Sequence, residues 1–321
     1  MKTLITGATG FIGKHLVRTL VEQGRDVRCL VRKTSDRQYL EKLGVELFYG
    51  DLLNKNSIKG IVKGVDIVHH LAGEVYSPRS GNYFKINVEG TKNLLEVCLP
   101  ENIEKFIFLS SIQAVGPNKN QGILLNEKSP CIPITPYGKS KLKAEQFLRE
   151  FCANDSSPVI IIRAPLVYGP GAANCRSAIL FQTIRNGRFM FVGRRNHMLS
   201  TCYIDNLIQG MLLLEKNKKS VGKIYFIADQ KPFTVEHIVR TIAEAIGVPQ
   251  PKIQIPIWTA YLIAAVLFLP NKIFHFSRIL TWNTIREVTH DWACDISLIK
   301  KEEGYEPRID FAKGIRKTIA A

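Results

Sequence analysis

The chain has 321 residues, 45% of them hydrophobic and 22% charged, with 44 Lys and Arg against 28 Asp and Glu, a net charge of +16. That is length enough for one large or two small domains around a sizeable core, and the composition excludes fibrous and low-complexity classes. Seven scattered cysteines with no C-x-x-C pair exclude a disulfide framework and a zinc site, and basic charge without a nucleic-acid-binding motif excludes a nucleic-acid partner.

The first apolar run, Thr3-Leu4-Ile5, starts almost at Met1 and reads as a strand. It leaves no room for a signal peptide, so the expected compartment is the cytoplasm. The next stretch is Thr6-Gly7-Ala8-Thr9-Gly10-Phe11-Ile12-Gly13, followed by an amphipathic helix through Lys14–Val21. Strand, glycine-rich turn and helix together make a cradle for a pyrophosphate. Gly7 allows the tight turn, Gly10 removes a side chain where backbone approaches phosphate, and Gly13 lets the helix pack closely on the sheet. The expected contacts of a dinucleotide here are Gly7, Thr9, Gly10, Phe11, Ile12 and Gly13. The spacing is G-x-x-G-x-x-G, a variant of the common dinucleotide fingerprint.

Further strands are predicted over Asp26–Val31, Val45–Tyr49, Val65–Leu71, Lys105–Ser110 and Val159–Arg163. Helices are predicted over Arg37–Leu43, Lys55–Val62, Tyr83–Leu99 and Gly138–Phe151. Alternation of this kind implies right-handed crossovers and a parallel sheet covered on both faces, with the ligand at the carboxyl ends of the strands. The expected fold is therefore α/β, a Rossmann-type doubly wound parallel sheet. After Arg163 the pattern breaks up around Pro165, Gly169, Pro170 and Gly171. A helix over Ile204–Glu215, a strand over Lys223–Ala228 and a helix over Val235–Ile246 follow. The expected division is a dinucleotide-binding part over 1–165, rejoined by 203–230, and a smaller C-terminal substrate-binding lobe from 166–202 and 231–321.

The strand ends carry the chemistry. Strand two ends Leu30-Val31-Arg32-Lys33, with no carboxylate before Asp36. A carboxylate there would bond the adenosine ribose and repel a 2′-phosphate; Arg32 has the planar fork that pairs with one. This favours NADP(H), with NAD(H) as the alternative. Asp51, after strand three, can accept from the adenine amino group or cap a helix. Leu52, Leu71, Ala72 and Val167 are further expected cofactor contacts. His69 and His70 have no metal partners at useful spacing and read as structural. No metal is expected.

Tyr137-Gly138-Lys139-Ser140-Lys141 opens a helix after the turn signal Pro133–Pro136. Tyr137 and Lys141 are four apart and share a face. A lysine beside a phenol is expected to lower the tyrosine's pKa, so that it exchanges a proton with an alcohol near neutral pH. Ser110 and Ser111 end strand five at the level needed to hydrogen-bond the same oxygen.

These stretches, with Gly50-Asp51-Leu52, His70-Leu71-Ala72, Asn87–Leu95, Arg163–Gly171 and Tyr203-Ile204-Asp205-Asn206, resemble the extended short-chain dehydrogenases/reductases over nearly the whole length. That group holds NAD-dependent epimerases/dehydratases, 3β-hydroxysteroid dehydrogenases and dihydroflavonol reductases. The resemblance implies Ser111 rather than Ser110 as the catalytic serine and Tyr137 as acid/base. It implies Lys141 as both the pKa-lowering group and a ligand of the nicotinamide ribose, and places Asn87 in a supporting network. It also implies a homodimer packed through helices such as Tyr83–Leu99 and Gly138–Phe151. Nucleotide-sugar members carry an Asn where this chain has Leu166, and an Arg where it has Met198. Arg163-Ala164-Pro165 followed by Val167-Tyr168-Gly169 resembles the steroid-dehydrogenase and flavonol-reductase branches instead. The expected activity is hydride transfer between a nicotinamide and the carbonyl or alcohol of a small, largely apolar substrate. The alternatives are a nucleotide-sugar epimerase or dehydratase that retains NAD, and a non-catalytic dinucleotide-binding protein.

Two features remain. Basic clusters at Arg185/Arg188/Arg194/Arg195, Lys216/Lys218/Lys219 and Lys313/Arg316/Lys317 read as solvated surface; an anionic cofactor, substrate or membrane face is the functional alternative. The apolar run Ile257–Leu269 is too short to span a bilayer, which takes roughly 20 residues. A buried helix of the substrate lobe is expected there, with peripheral membrane contact through 257–269, flanked by Lys252, Lys272 and Arg278, as the alternative.

Overall fold

The computed structural model describes residues 1–75, 82–118, 120, 122–152, 158–172, 175–266 and 282–320. Six strands alternate with helices through the first half: β1 (Lys2–Thr6), β2 (Asp26–Val31), β3 (Glu46–Tyr49), β4 (Ile67–His70), β5 (Lys105–Ser111) and β6 (Val159–Ala164). With the strand Ile224–Phe226 they form one seven-stranded parallel sheet. Its order is Ile224–Phe226, β6, β5, β4, β1, β2, β3. The direction of winding reverses between β1 and β4, so the ligand crevice of this architecture opens at their carboxyl ends.

The central strands β1, β4, β5 and β6 are buried and rich in Val, Ile, Leu and Phe, as in a sheet covered on both faces, whereas the edge strand β3 has no buried residue. Successive side chains alternate between two cores. Ile5, Val27, Cys29, Ile107, Leu109, Ile160 and Ile162 join one core with Leu16, Val17 and Leu20 of the helix Phe11–Glu22. Leu4, Leu30, Val68, Phe106, Phe108, Val159 and Ile161 join the other, with Leu94 and Leu95 of the helix Gly90–Cys98 and Ala144 and Leu148 of the helix Pro136–Cys152.

Two expected helices change form. Lys55–Val62 is only a short 3₁₀ turn over Lys55–Ile58, capped by the Asn54 side chain. Gly60 and Gly64 follow at φ +77° and +70°, a left-handed backbone that a helix cannot continue through. The helix expected over Tyr83–Leu99 contains a π-helical turn, Lys85–Glu89, before Gly90–Cys98. Such turns are frequent at functional sites, and this one carries Asn87.

Beyond β6 the strands are two or three residues long. Leu166–Tyr168 pairs with Thr201–Tyr203, Met198–Leu199 with Phe233–Thr234, and Phe191–Val192 with Gln254–Ile255. A buried aspartate ties this region together. Asp229 accepts from the Thr201 hydroxyl, the Tyr203 N–H and the Asn206 amide at 2.8–2.9 Å.

The apolar run departs from its expected burial. Ile257–Val266 is a helix, but only Ala260 and Ala264 are buried. Trp258 and Val266 are 68% and 69% exposed. An all-apolar helix is normally buried on every side; among the described residues this one packs on the helix Trp282–Val288 through its alanines. Residues 267–269 of the run lie outside the described residues, as do Lys272 and Arg278.

Candidate active site

The glycine turn is built as a cradle. Gly7 has φ +73°, and the Gly10 N–H donates to its carbonyl at 3.0 Å. A Cβ on Gly7 would fall 2.7 Å from Ala72 N, so the turn is pressed against the end of β4. A Cβ on Gly13 would stand 2.2 Å from the Gly7 carbonyl oxygen, which forces a glycine where helix meets turn. Gly10 is exposed and caps the helix without a side chain, and the first turn carries no acid. The first N–H groups of Phe11–Glu22 therefore have no partner within the helix and no side-chain cap. A dinucleotide pyrophosphate fits this arrangement of free donors and absent Cβ atoms. Thr9, Phe11 and Ile12 are half-buried around it.

The switch point beside the cradle is fixed by a hydroxyl–imidazole–hydroxyl chain. The Thr91 hydroxyl donates to Asn87 O at 2.7 Å and so accepts from His70 Nε2 at 2.9 Å. Neutral His70 must then accept at Nδ1, which the Thr6 hydroxyl supplies at 2.7 Å while accepting the Ala72 N–H at 3.2 Å. Burial first, and the Lys141 charge second, push His70 down to about 3, which keeps it neutral. His69 lies on the opposite core, bonded to Glu215 at 3.0 Å.

Arg32 is exposed at the carboxyl end of β2, its N–H bonded to the Ser35 hydroxyl at 3.2 Å. Asp51 Oδ1 accepts the Leu53 N–H at 2.9 Å, closing a turn rather than capping a helix. Leu52 is buried against Gly90, and its carbonyl accepts from Asn93 at 2.7 Å. Leu71 continues β4 through its N–H to Thr6 O at 3.2 Å. Val167 stands on the short strand Leu166–Tyr168 that follows β6. Gly169, two residues on, is wedged so that a Cβ would meet Ile204 at 2.4 Å and Phe11 at 3.6 Å.

Tyr137 and Lys141 share a face of the helix Pro136–Cys152. A Cβ on Gly138 would strike the Gln113 carbonyl at 2.2 Å, so the helix starts hard against the loop after β5. That contact brings the two elements into register. The Ser111 hydroxyl lies near enough to the Tyr137 phenol to pull its pKa downward, and it accepts the Gln113 N–H at 3.2 Å. Ser110 points the other way and donates to Glu145. Lys141 Nζ donates to Leu109 O at 2.8 Å and lies over the Phe108 ring. A Cβ on Gly73 would stand 3.0 Å from Asn87 Oδ1 and 3.3 Å from Lys141 Nζ, so these three meet at the crevice. Asn87 is held by Glu74 N, Glu74 O and the Ser140 hydroxyl at 2.7–3.0 Å.

The electrostatics differ from expectation. Burial pushes the Tyr137 phenol up to about 12, with Ser111 and the Arg176 charge pulling the other way. The expected lowering by Lys141 is absent because that ammonium is turned to the Leu109 carbonyl. Burial also pushes Lys141 down to about 8, opposed by the Glu145 carboxylate one turn further along the helix. Glu145 was not singled out in the sequence, nor was its ion pair with Arg163. Both side chains are about 1% exposed and pair at 2.7 Å. The signal for Glu145 was its spacing, four residues from Lys141 and eight from Tyr137. Arg163 offered none beyond its place in a family motif.

Residues 3–228 match the model of the NAD-dependent epimerase/dehydratase family. The chain belongs to this family. It is an extended short-chain dehydrogenase/reductase, and the seven-stranded sheet is that fold. It is similar to a 2-alkyl-3-oxoalkanoate reductase of Shewanella oneidensis, 28% identical over 99% of this chain and 85% of that one. It is similar to the decarboxylating sterol-4-alpha-carboxylate 3-dehydrogenase of Mus musculus, 26% identical over 99% and 90%. The structure of Thermus thermophilus UDP-glucose 4-epimerase with NAD superposes with a TM-score of 0.79, covering 100% of this chain and 98% of that one at 23% identity. This family member is thus an oxidoreductase by kinship, alongside reductases and a sugar epimerase of the same fold.

Proposed function

We propose that this protein is an NADP(H)-dependent reductase acting on the carbonyl of a largely apolar substrate. The observation that carries the reading is the convergence of Ser111, Tyr137 and the buried Lys141 at the crevice. The nicotinamide would supply the hydride. Tyr137 would give its phenolic proton to the carbonyl oxygen as negative charge develops there, and Ser111 would hold that oxygen. Lys141 would orient the ribose, and Asn87 would hold the backbone at Glu74 in place. A phenol that stays protonated through neutral pH suits proton donation, which supports the reducing direction over alcohol oxidation.

The pyrophosphate would sit at Gly7, Thr9, Gly10, Phe11, Ile12 and Gly13, with Asp51, Leu52, Leu71, Ala72 and Val167 around the rest of the cofactor. Arg32 supports NADP(H), since it stands exposed at the end of β2 with Lys33 next to it. Replacing it is expected to weaken NADPH about 10- to 100-fold, the worth of a charge-assisted hydrogen bond. Titrating an Arg32→Ala variant with both coenzymes checks this; an equal loss for NADPH and NADH would remove Arg32 from the 2′-phosphate.

The relatives' names supply the substrate reading. An oxoalkanoate and a sterol carboxylate both carry an apolar body and a carboxylate close to the reacting carbon. Arg176, whose charge reaches the Tyr137 phenol, already pairs with both carboxylate oxygens of Glu287, so such a carboxylate would have to share that cation. The sugar-nucleotide reading is less well supported, because Leu166 and Met198 stand where that branch keeps polar contacts. The test is to denature purified protein, identify any released nucleotide, and assay NADPH oxidation with 2-alkyl-3-oxo acids. Near-stoichiometric NAD with no turnover would reverse the reading in favour of an epimerase.

A further inference from the structure

The helix Ile257–Val266 is built the wrong way round for water. Its inward positions are alanines: Ala260 and Ala264, one turn apart, pack on Ile285. Its outward positions are large and apolar. Trp258, Leu262 and Val266, at i, i+4 and i+8, form one stripe exposed at 68%, 57% and 69%. A surface helix of a soluble protein puts charge or amide side chains on such a stripe.

The stripe continues beyond the helix. Ile253 and Ile257 are exposed just before and at its start, and Trp282, its ring tilted against Tyr261 with centroids 5.0 Å apart, extends it on the neighbouring helix. From Ile253 to Val266 the chain carries no ionised side chain. At the root of the helix lies a groove of about 850 Å³, lined by Arg194, Ile255, Pro256, Ile257, Trp258 and Tyr261. Exposed basic residues stand beside this surface: Arg194 in the groove lining, Lys252 just before Ile253, and Arg286 on the partner helix.

We infer that this face is a docking surface for an anionic lipid bilayer. A contiguous apolar patch of this kind marks an interaction site. Its charge chooses the occupant: an uncharged apolar centre beside arginines and lysine, on a chain of net charge +16, complements phosphate headgroups around acyl chains. Tryptophans at its edges suit the headgroup level. Among the described residues no helix is long and apolar enough to cross a membrane, and a helix with this exposure lies in the interface plane. The apolar stripe enters between headgroups while Arg194 and Lys252 meet phosphates at its root. This inference stands on exposure and charge alone and holds whatever the substrate of the crevice is.

The experiment is flotation of the full-length protein with vesicles of phosphatidylcholine alone and of phosphatidylcholine mixed with phosphatidylglycerol. The protein is expected to float with the anionic vesicles and to be released in part by high salt, which screens headgroup contacts. The double variant Trp258→Glu/Leu262→Glu is expected to lose at least about tenfold in vesicle-bound fraction, with unchanged thermal midpoint and coenzyme binding. Arg194→Glu/Lys252→Glu is expected to abolish the preference for anionic vesicles. Wild-type protein that stays in the soluble fraction with both vesicles overturns the inference. So does a wild-type dimer that Trp258→Glu/Leu262→Glu converts to monomer, which would give the face to a second copy of this chain.

Discussion

Tyr137→Phe is expected to lower kcat by about 10²- to 10⁴-fold, the usual worth of a positioned proton donor. The ring is retained, so its buried contacts and its packing near Tyr83 survive. Only the hydroxyl beside Ser111 disappears. Coenzyme affinity and thermal midpoint are therefore expected to hold while turnover collapses. Full turnover in the variant would remove Tyr137 from the chemistry. The wild-type pH profile adds a second check. Lys141 has a folded pKa of about 8, below its ordinary value, so its ammonium is present below that pH and lost above it. Coenzyme binding is expected to be level below about pH 8 and to weaken as pH rises through it. The phenol, at about 12, adds no inflection near neutrality.

The second large effect concerns stability. Arg163→Leu leaves the Glu145 carboxylate buried without its cation, which costs about 3–5 kcal/mol. Urea unfolding would show it as a lower midpoint with little change in slope. The double variant Arg163→Leu/Glu145→Leu removes both charges and is expected to recover most of the loss, because a buried pair is often no better than apolar side chains of similar volume. Activity should not recover with it. Glu145 opposes the burial that lowers Lys141, so its removal moves the alkaline limb to lower pH. A double variant as unstable as the single one would show that the carboxylate's desolvation is not the cause.

The first half was legible in the sequence because its physics is local. Most sheet strands are largely apolar runs, several turns are marked by glycine, and the two periods differ plainly between Asp26–Val31 and Phe11–Glu22. Beyond Ala164 the strands are too short to show a period, and pairs such as Met198–Leu199 with Phe233–Thr234 depend on contacts far apart in the chain. At the candidate site, spacing put Tyr137 and Lys141 on one face. It did not show that Lys141 turns to Leu109, nor that burial outweighs it at the phenol. The separation of Ser110 from Ser111 is likewise a matter of alternation: one side chain points into the Glu145 core and the other to the crevice. The apolar run was misjudged because composition reports hydrophobicity, not what covers it.

The strand Ile224–Phe226 pairs with β6 although some sixty residues separate them, and it forms the outer edge of the sheet. Between them run the short strands Leu166–Tyr168 and Thr201–Tyr203 and the helix Ile204–Lys216, which packs back on the main core. Cutting the gene after Ala164 would therefore leave β6 as a raw, self-adhesive margin. Recombination between relatives cannot trade the lobe as one contiguous cassette without stripping that border. Novelty in what such proteins accept must arise piecemeal, by changes inside the looped-out segments, while the returning strand stays as a hem that every descendant inherits.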